Sequence, residues 1–457
     1  MLKRRSPVLP VVFLWLIALI AAFATFDGLV KVRYHGDEGA YLNDSAWFDQ
    51  WLAGDFASLR QVDDSKLLDP PVGPLMIGLS RRLAGLDLSV AYRWDYSQPG
   101  DQAINVSTAP TAAMLVSGRL PSALLSFGSI MLLAALVLRE RGYLASTVVT
   151  IFIVLNQGLM TALRQVMTEA PLLFFGLLGT ILCARGLMWL DRRTPSTRRA
   201  FWLLAGAGLA IGLSTASKVN GAVALAALAG LVLVSQIRHR RGIVNTIGLV
   251  VAPCATALVV FIALSPFMWT TPLDALRAVI DRRIELSATG QRLQPQNALL
   301  TPGARIDVAV WRLFTMDSAL NCDPRAYGLV VMDTGTNTLN WERPAARAPL
   351  ADGVLCASRP PWSEVVRPLT LLNIGLCLFG VAVVLAPQFR ARRGVHPLTT
   401  LLTWWATLLL PIVFLSPLNW SRYYVLPVFF VTVFIGMGVA SVVRDRLGKG
   451  HPTPHHS

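Results

Sequence analysis

Ten apolar runs, each of about 20 residues, dominate the sequence and limit what it can fold into. A helix of that length crosses the hydrocarbon core of a bilayer. Because lipid offers backbone groups no hydrogen-bond partners, such runs span membranes as helices. The sequence therefore predicts an all-α polytopic membrane protein of about ten transmembrane helices. The candidate spans are residues 8–26, 113–138, 144–162, 170–190, 201–217, 220–236, 243–265, 368–387, 398–416 and 423–443.

Composition argues against a soluble protein, since 54% of the 457 residues are hydrophobic and 15% are charged. The formal net charge of +15 would suit a nucleic-acid partner only if it formed a continuous basic surface. The Lys and Arg residues occur instead in short clusters between apolar runs, as in membrane proteins whose orientation they set. We therefore expect no nucleic-acid partner.

The basic clusters all fall on one side of the predicted membrane. By the positive-inside rule that side is the cytoplasm, and both termini lie there with it. The sequence thus predicts a multi-pass protein of the plasma or inner membrane whose polar connections face outward. The clusters are Lys3-Arg4-Arg5, Arg139 with Arg141, Arg192-Arg193 with Arg198-Arg199, Arg238 with Arg240-Arg241, Arg390 with Arg392-Arg393, and Arg444 with Arg446.

The outer connections divide the chain into three predicted parts. These are residues 1–265, a module of seven spans with a large first outer loop at 27–112; residues 266–367, an extracytoplasmic segment; and residues 368–457, three spans and a short tail. Apolar spacing predicts one helix in the outer segment, from Pro272 to Leu286, and its Pro- and Gly-rich remainder predicts a small irregular cap. Cys322 and Cys356 lie in this exported segment, where we expect a disulfide.

Two adjacent carboxylates, Asp37 and Glu38, follow the first span where a membrane meets water. Apolar residues then recur with helical spacing, which predicts an interfacial helix that holds the acids at headgroup depth. These apolar residues are Trp47, Phe48, Trp51 and Leu52. Two interpretations of the acids stay open: they form a reactive site, or they are a solvated turn or a helix N-terminal signal.

Charged residues also mark the outer ends of later spans. Lys218 lies where orientation statistics disfavour a cation, so phosphate binding and snorkelling to the interface are both open. Glu169 begins a span and is either a site acid or a favourable charge at a helix N-terminus. Arg422 lies among aromatic residues typical of an interface belt, and Arg119, before Pro121, is interpreted as structural.

Acids and cations together at an outer leaflet suit one kind of chemistry. Cations bind an anionic lipid phosphate, and a carboxylate beside them can take the proton from a hydroxyl. These are the requirements for moving a sugar from a lipid phosphate to an acceptor.

Six motifs occur in an order that resembles the C-type membrane glycosyltransferases. The resemblance is to the branch of the protein O-mannosyltransferases and the lipid A aminoarabinose transferase, and it covers nearly the whole chain. The motifs are HGDEGAYL, DPPVGPL, GRLPSALL, RQVMTEAPLLF, TASKVNG and NWSRYYVLP. The resemblance implies transfer with inversion, at the outer face of the membrane, from a polyprenyl-phosphate sugar to a hydroxyl of a lipid, glycan or protein.

The resemblance also implies roles for single residues. Asp37 would be the base, with Glu38 as its neighbour and Glu169 as the acid of the second outer loop, and the donor phosphate would contact Lys218, Arg422 and Tyr423. The residue before Pro-Pro is commonly His or Lys in this family and is Asp69 here, which leaves the donor contact to the other cations. No cofactor is firmly expected, although two or three carboxylates could hold Mg²⁺ or Mn²⁺.

Two other classes of function compete with the transferase. A transporter or flippase of a lipid-linked saccharide would place polar or broken segments at mid-membrane depth and would show internal repeats. A non-catalytic envelope assembly protein would tolerate loss of the Asp37 carboxylate. The expected partners of the transferase are a polyprenyl-phosphate sugar, a lipid, glycan or protein acceptor, and membrane lipid.

Overall fold

The computed structural model shows a predominantly helical membrane protein, which confirms the predicted fold class. It describes residues 8–27, 29, 32, 35–88, 92, 110–191, 196–238, 243–293, 298–314, 329–333, 338–342, 368–391, 397–414, 416, 418 and 421–448. The predicted disulfide between Cys322 and Cys356 falls outside these residues.

Eleven of the described helices form the body of the protein. They are α1 (Val8–Phe26), α7 (Ala112–Arg141), α8 (Tyr143–Leu155), α9 (Gln157–Arg164), α10 (Glu169–Leu190), α11 (Thr197–Thr215), α12 (Ala222–Arg238), α13 (Ile243–Leu264), α16 (Pro368–Ala391), α17 (Pro397–Phe414) and α18 (Val425–Gly448). Helix α18 is central, because Phe429, Phe430 and Phe434 on it are all fully buried. The residues that precede α18 therefore lie at the end of the core.

Eight helices among the described residues are long and apolar enough to cross a membrane, and the bent pair α8–α9 could form a ninth. Helix α11, predicted as the span 201–217, is not among them, since Arg198 and Arg199 begin it and glycines dilute its apolar content. It nevertheless packs tightly on α13: a Cβ at Gly208 would lie 2.3 Å from the Pro253 carbonyl oxygen. The count of ten spans stays a prediction.

The predicted span 144–162 is two helices bent by 73° at Asn156. The Asn156 side chain accepts a hydrogen bond from Leu159 N at 3.0 Å, which caps α9 and stabilises its new direction. Helix α9 therefore leads the chain sideways into the turn at 165–168, which contacts the first outer loop.

Five short helices form that loop: α2 (Gly36–Asp44), α3 (Ala46–Ala53), α4 (Phe56–Arg60), α5 (Asp64–Leu68) and α6 (Val72–Leu83). Helices α2 and α3 replace the single interfacial helix of the prediction. They meet at Ser45, whose Oγ donates to Leu42 O at 2.5 Å and accepts from Arg81 Nε at 3.2 Å. Trp47 is buried in protein while Leu52 is exposed, so the predicted apolar face does not lie on lipid as one surface.

The segment after α13 contains α14 (Pro272–Leu293), α15 (Pro302–Phe314) and two antiparallel strands, β1 (Leu329–Asp333) and β2 (Thr338–Glu342). Helix α14 begins at Pro272 as predicted and continues past Leu286. Its buried face runs through Ala275 and Val279, whereas Leu273 and Ile280 are exposed. The hairpin was not predicted, and the cap and the three-part division of the chain stay predictions.

Candidate active site

Helix α2 begins at the acidic pair and is fixed there by a capping box. His35 Nδ1 accepts a hydrogen bond from Asp37 N at 3.1 Å, and Glu38 Oε2 accepts from His35 N at 2.9 Å. Such reciprocal bonds satisfy backbone N–H groups that the first helical turn would leave unpaired. The cap also places Asp37 and Tyr41, four residues apart, on one face of the helix.

Glu38 belongs to a closed ion pair with Arg119 of α7. Arg119 Nε donates to Glu38 Oε1 and Arg119 Nη2 to Glu38 Oε2, both at 2.8 Å, and both side chains are 0% exposed. The remaining capacity of each partner is used by backbone: Val166 N donates to Glu38 Oε1 at 2.8 Å, and Arg119 Nη1 donates to Leu29 O and Val32 O. This pair ties α2, α7 and the turn after α9 together.

Asp37 forms a different kind of ion pair, with Arg422 in the 3-10 turn Ser421–Tyr424 that leads into α18. Arg422 Nη1 donates to Asp37 Oδ2, and the Arg422 side chain is 21% exposed. The Arg422 guanidinium also lies 6.0 Å from the centroid of the Tyr423 ring. The pair is thus buried on one side and open on the other.

Glu169, the first residue of α10, forms the second open ion pair. Lys218 Nζ donates to Glu169 Oε1, and the Lys218 side chain is 11% exposed. Burial lowers the pKa of Lys218, and the charges of Arg422 and Arg283 lower it further while Glu169 opposes the shift. The two open pairs are therefore close enough to act on each other.

Tyr41 and Asp69 join these pairs. Tyr41 Oη donates to Asp69 Oδ1 at 2.9 Å. Burial raises the pKa of Tyr41 well above its usual value, and the negative charges of Asp69 and Glu169 add to this shift. Burial also raises the pKa of Asp69, while Arg283 and the hydrogen bond from Tyr41 oppose that rise. Neither residue was assigned a role from the sequence, although Tyr41 follows Asp37 by one helical turn.

Arg283 enters the same site from α14. Arg283 Nη2 donates to Leu68 O, and the neighbouring Arg282 Nη2 donates to Asp64 Oδ2 at 2.6 Å, so two adjacent arginines dock α14 on α5. Arg283 lies outside all six motifs. The signal available in the sequence was its position on the polar face of a helix in the outer segment.

The structure thus brings together five of the predicted residues: Asp37, Glu169, Lys218, Arg422 and Tyr423. Glu38 lies behind them, and its carboxylate is already hydrogen-bonded to Arg119 and to backbone. Within the described part of the chain, no three His, Cys, Asp or Glu side chains are grouped to hold a metal ion. The acids here are instead paired with Arg and Lys.

Comparison with solved structures finds matches at low sequence identity. The oligosaccharyltransferase of Archaeoglobus fulgidus in its apo form matches with a TM-score of 0.52 and 12% identity, over 96% of this chain and 51% of that chain. ArnT from Cupriavidus metallidurans bound to undecaprenyl phosphate matches with a TM-score of 0.47 and 16% identity, over 97% of this chain and 63% of that chain. The S. cerevisiae protein O-mannosyltransferase Pmt1–Pmt2 complex bound to the sugar donor matches with a TM-score of 0.41 and 18% identity, over 58% of this chain and 34% of that chain.

This chain therefore spans between about a third and two thirds of the length of those structures. The match to the oligosaccharyltransferase shows a shared fold. Among curated protein sequences none matches significantly. The family model of the dolichyl-phosphate-mannose-protein mannosyltransferases matches residues 38–271, which is just over half of the chain and begins at the acidic pair. The chain belongs to this family of membrane mannosyltransferases.

Proposed function

We propose that the protein is an inverting glycosyltransferase that moves a hexose or pentose from a polyprenyl-phosphate donor to an acceptor hydroxyl at the outer face of the membrane. The observation that carries the proposal is the meeting of two open acid–cation pairs, Asp37–Arg422 and Glu169–Lys218, at one end of the helical core. Membership of the mannosyltransferase family supports the class of reaction.

Three cations supply the donor-phosphate site in this proposal. Arg422 and Lys218 are paired to acids, and their side chains are 21% and 11% exposed. The charge of Arg283 lowers the pKa of both Lys218 and Asp69. A lipid phosphate offers these cations short charge-assisted hydrogen bonds. Tyr423, beside Arg422, borders the same position. The phosphate would compete with Asp37 and Glu169 for the cations that now neutralise them.

This competition links donor binding to catalysis. A carboxylate paired with a guanidinium is a weaker base than one that has lost that partner. When Arg422 turns to the phosphate, Asp37 is released to accept a proton. The protein would therefore hold its base inactive until the donor is present.

The transfer then needs one base and one stabilised leaving group. The acceptor oxygen attacks the anomeric carbon and its proton passes to Asp37, while the bond from that carbon to the phosphate oxygen breaks and its electron pair stays on the phosphate. Arg422, Lys218 and Arg283 neutralise the charge that develops there. Glu169 positions Lys218, and Glu38, fully occupied by Arg119 and backbone, positions α2 without touching substrate.

Placement at the outer face rests on the distribution of basic residues. The site gathers the starts of α10 and α18 and the end of α11, whereas Arg141, Arg199, Arg238 and Arg444 mark the opposite ends of the helices. By the positive-inside rule that opposite side is the cytoplasm. Labelling of single cysteines at positions 87 and 238 from outside the cell tests this, with position 87 expected to react and position 238 not.

The direct test of the function is release of polyprenyl phosphate. Purified full-length protein in nanodiscs is incubated with a panel of polyprenyl-phosphate sugars and hydroxyl acceptors, with the Asp37→Asn variant as control. We expect release by the wild type, dependent on acceptor, and little by the variant. Movement of intact donor across the bilayer with no release would favour the flippase, and full complementation by Asp37→Asn in cells would favour an assembly protein.

A further inference from the structure

Asp69 has the geometry of a ligand-binding side chain that the proposed mechanism does not use. It ends α5, its N–H donates to Ser65 O at 2.7 Å, and the following Pro70 restricts its backbone to the extended conformation that it adopts. Tyr41 Oη holds its Oδ1 at 2.9 Å. Its Oδ2 accepts no hydrogen bond from any residue in the described part of the chain, and the side chain is only half-buried.

The hydrogen bond from Tyr41 places the Asp69 carboxylate beside the face of α2 that also carries Asp37. Arg283 and Arg422 stabilise its negative charge, and the negative charge of Asp37 destabilises it. Asp69 therefore borders the two groups assigned to the acceptor proton and the donor phosphate. In the proposed mode of donor binding, a sugar joined to that phosphate lies beside the same cations and next to Asp69.

The chemistry of a carboxylate limits what it can bind there. An ionised carboxylate only accepts hydrogen bonds, so in that form Asp69 does not bind phosphate oxygens as a His or Lys at this position would. It repels a carboxylate and attracts a hydroxyl or an ammonium. A sugar hydroxyl or ammonium can donate to Oδ2, since Tyr41 occupies only Oδ1.

We propose that Asp69, held by Tyr41, binds a hydroxyl or amino group of the donor sugar and selects against sugars that carry a carboxylate. This inference rests on the proposed function and specifies the substrate class of the same site. Asp69 is then a specificity determinant, and phosphate recognition falls to Arg422, Lys218 and Arg283. With an acid before Pro-Pro, instead of the basic residue common in the family, this position would recognise the sugar of the donor and not its phosphate.

The test separates the sugar from the phosphate. Binding of undecaprenyl phosphate, of its conjugates with neutral hexoses and pentoses, and of a matched uronic acid conjugate is measured for wild type, Asp69→Asn and Asp87→Asn in nanodiscs. Asp87 is an exposed acid of the same loop, paired with Arg82, and controls for the loss of one charge.

For Asp69→Asn we expect unchanged binding of undecaprenyl phosphate, which also reports intact folding. We expect roughly 10- to 100-fold weaker binding of the preferred neutral conjugate, as for loss of a charge-assisted hydrogen bond. The ratio of the affinities for the neutral conjugate and the uronic acid conjugate should fall by a similar factor. Tyr41→Phe should weaken the same conjugate by a smaller factor, and Asp87→Asn should match the wild type.

Equal affinities of Asp69→Asn and wild type for every conjugate would overturn the inference and leave the transferase intact. Parallel loss of undecaprenyl phosphate and conjugate binding would also overturn it, because Asp69 would then be structural. The inference would also be overturned if the wild type bound none of the sugar conjugates more tightly than undecaprenyl phosphate itself. A wild type that binds neither would overturn the proposed function itself.

Discussion

Asp37 and Glu38 are neighbours in sequence, yet their surroundings differ completely. Glu38 accepts four hydrogen bonds, two from Arg119 and two from backbone, and is fully buried. Asp37 is paired with an arginine whose side chain is 21% exposed. An ion pair whose hydrogen-bonding capacity is filled can only hold structure, whereas an open pair can exchange its partner for a ligand.

The helix that carries both acids explains the difference. Successive residues of a helix point about 100° apart, so adjacent side chains face different surroundings. Asp37 lies on the same face of α2 as Tyr41 and pairs with Arg422 in the candidate site. Glu38 shares its face with the buried Leu42, which lies against Gly118 beside Arg119. The orientation of one helix therefore places Asp37 at the candidate site and Glu38 in the surrounding scaffold.

The largest effect is expected for Asp37→Asn. This change keeps the size of the side chain and removes the base, so turnover should fall roughly 10²- to 10⁴-fold. Folding should be nearly unaffected, because the bonds of α2 to α7 run through Glu38. Turnover is measured as polyprenyl phosphate release, and folding as the thermal midpoint in detergent.

Asp49→Asn is a useful control for Asp37→Asn. Asp49 pairs with Arg81 and Arg82 in the same loop but outside the site, so its loss should lower stability more than turnover per folded molecule. An Asp37→Asn protein with near wild-type turnover would show that another carboxylate is the base.

The next effect concerns the scaffold acid. Glu38→Gln leaves Arg119 buried without a counter-charge, and removal of one partner of a buried ion pair costs about 3 to 5 kcal/mol. We expect a large drop in the thermal midpoint and in the yield of folded protein. Any protein that folds should keep its affinity for donor, since Glu38 does not contact the proposed phosphate site.

The double variant Glu38→Gln/Arg119→Met sharpens this prediction. It removes the buried charge of Arg119 that Glu38→Gln leaves unpaired, so it should be more stable than Glu38→Gln alone. The double-mutant cycle should show strong coupling between Glu38 and Arg119. A fully stable Glu38→Gln variant without turnover would contradict the structural role and assign Glu38 to the reaction.

A smaller effect is expected for the cations of the open pairs. Lys218→Ala, Arg422→Ala and Arg283→Ala should each weaken polyprenyl phosphate binding by roughly 10- to 100-fold, because each removes a charge-assisted contact. Equilibrium binding to nanodisc-embedded protein measures this. Arg282→Ala, which removes the contacts to Asp64 and Glu285 but none to the site, is the matched control and should bind nearly as the wild type. Equal losses for Arg282→Ala and Arg283→Ala would mean that α14 docking alone matters.

The sequence could predict the class of fold, and it could predict which residues lie together in part of the candidate site, for identifiable reasons. Long apolar runs fix membrane helices without knowledge of their neighbours, and the ordered motifs group Asp37, Glu169, Lys218 and Arg422. The helix N-terminal interpretation of the acidic pair also applies, because Glu38 completes the capping box at His35.

What could not be predicted depends on distant contacts. Arg119 lies 81 residues from Glu38, and Arg422 lies 385 residues from Asp37, so no local pattern distinguishes the closed pair from the open one. Arg283 lies outside the motifs, and its role depends on how α14 docks. The break between α2 and α3 arises from Arg81 and from the close approach of Gly78, which local apolar spacing does not encode.

A third acid on α2, Asp44, gives the smallest expected effect and completes the series. It is buried, Oδ1 accepts from Ser65 Oγ at 2.5 Å, and Oδ2 is a buried atom with no hydrogen-bond partner among the described residues. Burial raises the pKa of Asp44 to about 8, and the nearby Asp69 and Asp63 add to this rise while Ser65 and Lys66 oppose it. Among the described residues, Asp44 thus has no direct cation partner of the kind that Asp37 and Glu38 have.

The sign of the pH dependence follows from that shift. Between its unfolded value and about 8, the folded protein keeps a proton on Asp44 that the unfolded chain releases, so stability falls as pH rises. We expect a loss of roughly 1 to 2 kcal/mol between pH 6 and pH 8. In Asp44→Asn, which mimics the protonated form, this part of the slope should vanish, as measured by thermal unfolding across that range. Asp63→Asn, which removes a more exposed acid that caps α5, controls for the loss of charge and should keep the slope. Parallel pH profiles for wild type and Asp44→Asn would show that Asp44 is ionised in the folded protein and has a partner of its own.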